Sequence, residues 1–168
     1  SKLEQGVVGI ITNHSYLDNP TFRGMRESLL NSFNEIYIID LHGNSKKLEK
    51  SPDGSPDQNV FEIQQGVSIA IFVKTELKPK NCKIFYKDIY GNKEAKKSYL
   101  DSIVKSTTDW EEIYPDKPYY LFKPQNKKLR KQYNKFLSIN DIFDKSSVGV
   151  VTARDNFSID FDKNDLWK

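Results

Sequence analysis

The chain reads as an α/β protein. Three short runs rich in β-branched residues, Val7–Thr12, Ile36–Leu41 and Val67–Val73, have the make-up of sheet strands. The first two are separated by a stretch with helical periodicity, and strand, helix, strand with short joints is a right-handed crossover unit that packs a helix on a sheet face. A length of 168 residues, with 37% hydrophobic residues, suffices for one domain or one and a half small ones.

Taken in order, Val7–Thr12 predicts a strand buried on both faces, interrupted by Gly9. Asn13–Asn19 is polar and turn-like. Asn19-Pro20 then announces a helix, because the missing N–H of proline costs nothing in a first turn. Phe22, Met25, Leu29, Leu30 and Phe33 follow at helical spacing as one apolar stripe. Gly24 inside it costs about 1 kcal/mol. Ile36–Leu41 predicts a second buried strand. Residues 42–58 form a polar loop, long enough to expect a functional or mobile segment. In Val67–Val73, Val67, Ile69, Ile71 and Val73 face one way and Ser68, Ala70 and Phe72 the other. With no helix before it, this strand is expected to run antiparallel to its predecessor.

Composition shifts at Lys74–Asn81. Beyond it the pattern predicts a strand at Lys83–Ile89, a turn at Tyr90-Gly91-Asn92, and a helix over Lys93–Val104. A turn at Pro115–Pro118 and a short strand at Tyr119–Lys123 follow. Asn126–Phe136 reads as a basic helix, and Ser138 caps a brief turn through Phe143. Val148–Thr152 and Phe157–Phe161 read as strands, and Asp165–Trp167 as the start of a helix. Two domains are expected, residues 1–75 and a basic α+β extension over 76–168.

Composition excludes several classes. No apolar run approaches the roughly 20 residues that span a bilayer, and the first residues carry no signal pattern, so no membrane partner is expected. The single Cys82 excludes an internal disulfide framework and suits a reducing, cytoplasmic location. With only two histidines and one cysteine at no close ligand spacing, no metal site is expected. The net charge of +3 hides an asymmetry. Residues 1–74 carry 7 basic and 9 acidic side chains, whereas residues 75–168 carry 19 and 14. A basic half suits a polyanionic partner, although a solvated lysine-rich face has the same composition.

Among the motifs, Gly6-Val-Val-Gly9 lacks the spacing of a phosphate-binding glycine loop. Thr12-Asn13-His14-Ser15-Tyr16 stands just past the first strand, and ligands of open α/β sheets collect outside the carboxyl ends of the strands. Lys127, Lys128, Arg130 and Lys131, with Tyr133 and Phe136 close by, suit either a phosphate backbone or an ordinary amphipathic surface helix. Arg154, in a turn between two predicted strands, suits a phosphate contact or a structural ion pair equally.

Taken together, Gly6–Leu17, Thr21–Leu30, Ile36–Leu41, and Val60-Phe61 with Gly66–Lys74 resemble the later motifs of adenine-specific (N6) DNA methyltransferases. The resemblance is to those in type ISP and type IIG restriction-modification enzymes. Lys83–Gly91, Thr107–Trp110, Pro118–Phe122 and Val148–Asp155 resemble the region that leads to target recognition in that family. The resemblance implies a partial Rossmann-like S-adenosylmethionine-methyltransferase sheet, its last strands including a reversed hairpin strand. It also implies a target adenine extruded from the duplex, since the amino group is unreachable inside the stack. By that resemblance Phe61 packs against the extruded base, Asn13, His14 and Tyr16 lie near the cleft, and Lys46, Lys47 and Arg154 face DNA.

The glycine-rich donor motif and the catalytic Asn/Asp-Pro-Pro-Tyr/Phe motif of that family do not occur; Asn19-Pro20 is followed by Thr21. Neither a catalytic residue nor bound S-adenosylmethionine is therefore expected for this chain alone. The cofactor belongs to a parent enzyme whose remaining chain and DNA are the expected partners. The alternatives are a non-catalytic nucleic-acid-binding module carried by the basic half and a standalone enzyme acting on a small molecule.

Overall fold

The structure, a computed structural model, describes residues 4–75, 81–104, 107–143 and 145. The chain forms two compact units, Ser1–Gln125 and Asn126–Lys168. The first is a five-stranded sheet. Strands β1 (Gly6–Asn13), β2 (Glu35–His42), β3 (Val67–Lys74), β4 (Lys83–Asp88) and β5 (Glu111–Ile113) lie in the order β1-β3-β2-β4-β5. β3 is antiparallel to both β1 and β2, β2 and β4 are parallel, and β5 returns antiparallel to β4. The reversed strand expected at Val67–Val73 is therefore present, inserted between β1 and β2. The sheet does not stop at residue 75, since β4 and β5 extend it.

Alternation along β2 and β3 sorts two cores onto the two sheet faces. Ile36, Ile38, Ala70, Phe72, Ile84 and Tyr86 form one, covered by Leu29, Leu30 and Phe33 around helix α1 (Arg23–Ser32). Ile39, Leu41, Val67, Val60 and Ile89 form the other, covered by Tyr99 and Leu100 of helix α2 (Lys93–Ser102) and by Ile103 and Trp110. The face assignment of Ser68, Ala70 and Phe72 against Val67 and Ile69 thus agrees with the alternation read from sequence.

Several expectations need correction or addition. β1 is an edge strand, paired with β3 alone among the described strands, and its Val7 and Ile11 are 67% and 59% exposed rather than buried. The α1 stripe is shorter than expected. Phe22 and Met25 are exposed, and Arg26 occupies the buried position instead. α1 itself starts at Arg23, after a 3-10 turn at Pro20–Phe22 capped by Asn19. Tyr119–Lys123 is not a strand. Tyr120 adopts φ +49°, and the Tyr119 and Tyr120 carbonyls turn onto the Arg26 guanidinium, whose Nε lies 3.0 and 2.9 Å away. The loop 42–58 is fastened down at several points, as set out below. β5 was not foreseen in its short acidic sequence.

The second unit contains α3 (Lys127–Tyr133), shorter than the basic helix expected, and α4 (Ile139–Ile142). The Asn126 carboxamide caps α3 by accepting from the N–H groups of Lys128 and Leu129. The strands expected at Val148–Thr152 and Phe157–Phe161, the helix start at Asp165–Trp167, and Arg154 lie outside the described residues. Among the described residues no helix is long and apolar enough to cross a membrane.

Candidate functional site

β1, β2 and β4 run the same way, so their carboxyl ends gather Asn13, His42 and Asp88 at one rim. Ligand sites in open α/β sheets occur at such a rim. A charged network lies just beneath it. Its centre is Asp40, fully buried near the end of β2. The His14 Nδ1–H donates to Asp40 Oδ1 at 2.9 Å, and the Lys123 ammonium lies 2.8 Å from Oδ2. The His42 N–H also donates to Oδ1, at 3.1 Å. The Tyr86 hydroxyl donates to Asp88 Oδ1 at 2.6 Å and stands 3.2 Å from Asp40 Oδ2.

His42 is a second cation beside Lys123. Its Nδ1–H donates to Glu49 at 2.7 Å and its Nε2–H to Asp88 at 2.6 Å, which engages both ring nitrogens as donors. Tyr90 stacks on the ring at 4.0 Å between centroids. Burial alone would lower the imidazole pKa, but the bonds to Asp88 and Glu49 and the Asp40 charge outweigh it and push it up to about 9. Burial would likewise raise the Asp40 carboxyl. The His14 hydrogen bond and the His42 and Lys123 charges instead hold it well below the usual carboxylate range.

His14, Asp40 and His42 place three ligand-type atoms within 4.8 Å of one another. Sequence spacing gave no sign of this, because the two imidazoles come from different strand ends. The grouping is nonetheless an ion-pair network: His14 Nδ1 and both His42 nitrogens already donate to carboxylates, and the Lys123 ammonium fills the cationic position on Asp40.

A second network fastens the loop between β2 and β3. Asp57 accepts from the N–H groups of Gly43 and Gly91, each at 2.7 Å, and from the Lys96 ammonium at 2.8 Å. Lys96, completely buried on α2, donates also to the carbonyls of Leu41 and Gln58 at 2.7 Å each, so all three ammonium protons are engaged. Gly43 has φ +78°, and a Cβ there would lie 2.5 Å from the Asn59 Cα. Glycine is thus required both by conformation and by the close approach of the loop.

The residues singled out from sequence divide by exposure. Phe61 is 43% exposed on this fastened loop. Lys46 and Lys47 are exposed in a 3-10 turn capped by Asn44. Asn13 is exposed, and its carboxamide oxygen caps the turn after β1 by accepting from the Ser15 N–H and hydroxyl. His14 and Tyr16 are buried. The Tyr16 hydroxyl faces Ser68, and burial raises its pKa to about 12. Asp40, His42, Glu49, Asp88 and Lys123 were not singled out. The available signal was an Asp-Leu-His end to an otherwise apolar strand.

No family model and no curated protein matches the chain. Solved structures do. A DrdV–DNA complex aligns over 98% of this chain at 25% identity and a TM-score of 0.68. The ATP-dependent Type ISP restriction-modification enzyme LlaBIII bound to DNA aligns over 97% at 29% identity and 0.65. A nuclease-deletion mutant of the Type ISP restriction-modification enzyme LlaGI, in complex with a DNA substrate mimic, aligns over 76% at 25% identity and 0.59. The chain spans 17%, 12% and 11% of those three chains, respectively. The structural likeness is therefore to a segment of much longer chains, two of them Type ISP restriction-modification enzymes.

Proposed function

We propose that this chain is the target-base side of the cleft of a DNA adenine-N6 methyltransferase belonging to a restriction-modification system. The observation that carries the reading is the position of Phe61. An exposed aromatic ring stands on a fastened loop beside the carboxyl ends of parallel strands, in a fold of which 97% aligns with a segment of a DNA-bound Type ISP restriction-modification enzyme. In this reading the ring packs against an adenine extruded from the duplex. Lys46 and Lys47, exposed on the same loop, face the phosphates, and the enzyme works in the cytoplasm.

The strand ends here do not suit S-adenosylmethionine. They carry Asn13-His14, His42-Gly43-Asn44 and Ile89-Tyr90, with no glycine-rich cradle, and a buried ion-pair network lies directly beneath. The donor and the transfer step therefore fall to the remainder of the enzyme's chain. The bare edge of β1, with Val7, Val8 and Ile11 exposed, is the seam along which that remainder adds to the sheet.

The test is Phe61→Ala in the complete enzyme, read by transfer of labelled methyl groups to its DNA site. Loss of base packing predicts turnover reduced by about 10-fold or more, from roughly 1–3 kcal/mol of aromatic–base contact. Unaltered turnover and DNA affinity would remove Phe61 from the site.

A further inference from the structure

The segment that carries Phe61 is clamped at both ends. At the first end the Asn59 carboxamide makes three hydrogen bonds. Its Nδ2 donates to the Gly43 carbonyl at 3.1 Å and to the Gln65 carbonyl at 2.7 Å, and its Oδ1 accepts from the Phe61 N–H at 2.8 Å. One side chain thus ties the start of the segment, its end and the terminus of β2 together. Val60, buried in the α2-side core, anchors the same point.

At the second end the clamp is His14. Its N–H donates to the Gly66 carbonyl at 2.9 Å, and its ring lies so close over Gly66 that any Cβ there would overlap the imidazole. Asp40 fixes that ring through its Nδ1–H. Between the clamps Phe61 and Ile63 stand 43% and 47% exposed. Large apolar side chains held out from a segment with both ends locked are arranged for contact with something else.

We propose that Asn59 and the His14–Gly66 contact are positioning elements that hold the Phe61 ring in one presentation toward its ligand. The ligand, an extruded nucleobase, rests on the reading above; the clamping does not. His14 acts through the loop and does not touch the base. The physical gain is preorganisation: a ring fixed before binding loses little freedom when the base arrives.

The experiment places 4-fluorophenylalanine at position 61 and, in a separate sample, at Phe122 in the α1-side core. The fluorine spectrum of each is recorded in the wild-type background and with Asn59→Ala, Asn59→Ser and Gly66→Ala. Release of the clamp predicts that the position-61 signal narrows and moves toward its unfolded shift while the position-122 signal stays unchanged. An unaltered position-61 signal in all variants overturns the proposal. So does loss of both signals together, which would make Asn59 and Gly66 supports of the whole fold. In the complete enzyme, DNA with 2-aminopurine at the target position reads the base directly. There Asn59→Ala is expected to lower the emission change about as far as Phe61→Ala does, roughly 10-fold, and the double variant no further. If Phe61→Ala leaves that emission intact while Asn59→Ala still frees the ring, the nucleobase reading fails and the clamp stands.

Discussion

The two buried charged networks at the end of β2 contrast in how their charges are satisfied. On the α2 side, Asp57 and Lys96 form a closed pair whose side chains are fully buried, and every ammonium proton has one fixed acceptor. On the α1 side, Asp40 gathers His14, His42, Tyr86 and the partly exposed Lys123, and several members titrate far from their ordinary values. The first has a single geometry, with each donor and acceptor fixed, which suits a staple that ties a long loop to a helix. The second sits at the strand ends where ligands collect, and its charge balance responds to pH. Burying a polar group therefore does different work in the two places: one fixes the loop, and the other makes the rim sensitive to its surroundings.

The contrast is broken most directly by removing Asp57. Asp57→Ala leaves the Lys96 ammonium buried without its counter-charge, and loss of one member of such a pair costs about 3–5 kcal/mol. That is a large share of the stability of any single domain. Lys123→Met at the other network is expected to cost less, about 1–2 kcal/mol. Lys123 is already 21% exposed, and Asp40 keeps its bonds from His14 and the His42 N–H. Urea denaturation of the two variants measures the ratio. Equal losses would mean that the two networks are not different in kind.

The pH dependence sharpens the comparison further. The folded-state pKa of His42 is raised from 6.5 to about 9, so its stabilisation is fully present below pH 6.5 and is lost as pH rises through 9. Asp40 works in the opposite sense: its carboxyl is depressed from 3.8, so its contribution is present above that value and disappears in acid. Stability measured across pH 6.5 to 9 is expected to fall by on the order of 2 kcal/mol. His42→Gln should flatten that decline. A slope that survives His42→Gln would assign the titration to another group.

Local pattern carried the sheet in part and the rim hardly at all. β2 and β3 were legible because alternation along Ile36–Leu41 and Val67–Val73 is a property of neighbouring residues. The same criterion misjudged β1. Val7-Val8-Gly9-Ile10-Ile11 has the composition of a covered strand, yet Val7, Val8 and Ile11 are exposed, and among the described residues no strand pairs with its outer edge. Arg26 and Lys96 look like ordinary surface positions on amphipathic helices. Their burial depends on carbonyls contributed from 93 and 55 residues away, which no local window contains. Phe61 was singled out through resemblance alone, and it stands 43% exposed. The clamp formed by Asn59, His14 and Gly66 was not found, because it joins the ends of two strands across a long loop.

The smallest expected effect concerns the turn that aims Glu49 at His42. Leu48 is 81% exposed and adopts φ +50°, a left-handed conformation in which its branched side chain gains no contact to offset the strain. Its N–H closes the 3-10 turn on the Ser45 carbonyl, and this reversal brings the Glu49 carboxylate onto the Asn44 N–H and the His42 ring. Asparagine tolerates that conformation better than leucine, so Leu48→Asn is expected to stabilise the protein by about 0.5 kcal/mol. The gain should be independent of Lys96→Met, because among the described residues no hydrogen bond runs directly from the turn to that pair, and sites without shared partners add to within about 0.5 kcal/mol. A melting-temperature comparison of the two single variants and the double variant measures this. If the gain vanishes in the Lys96→Met background, the two networks are energetically one unit, and the division between staple and rim would have to be drawn elsewhere.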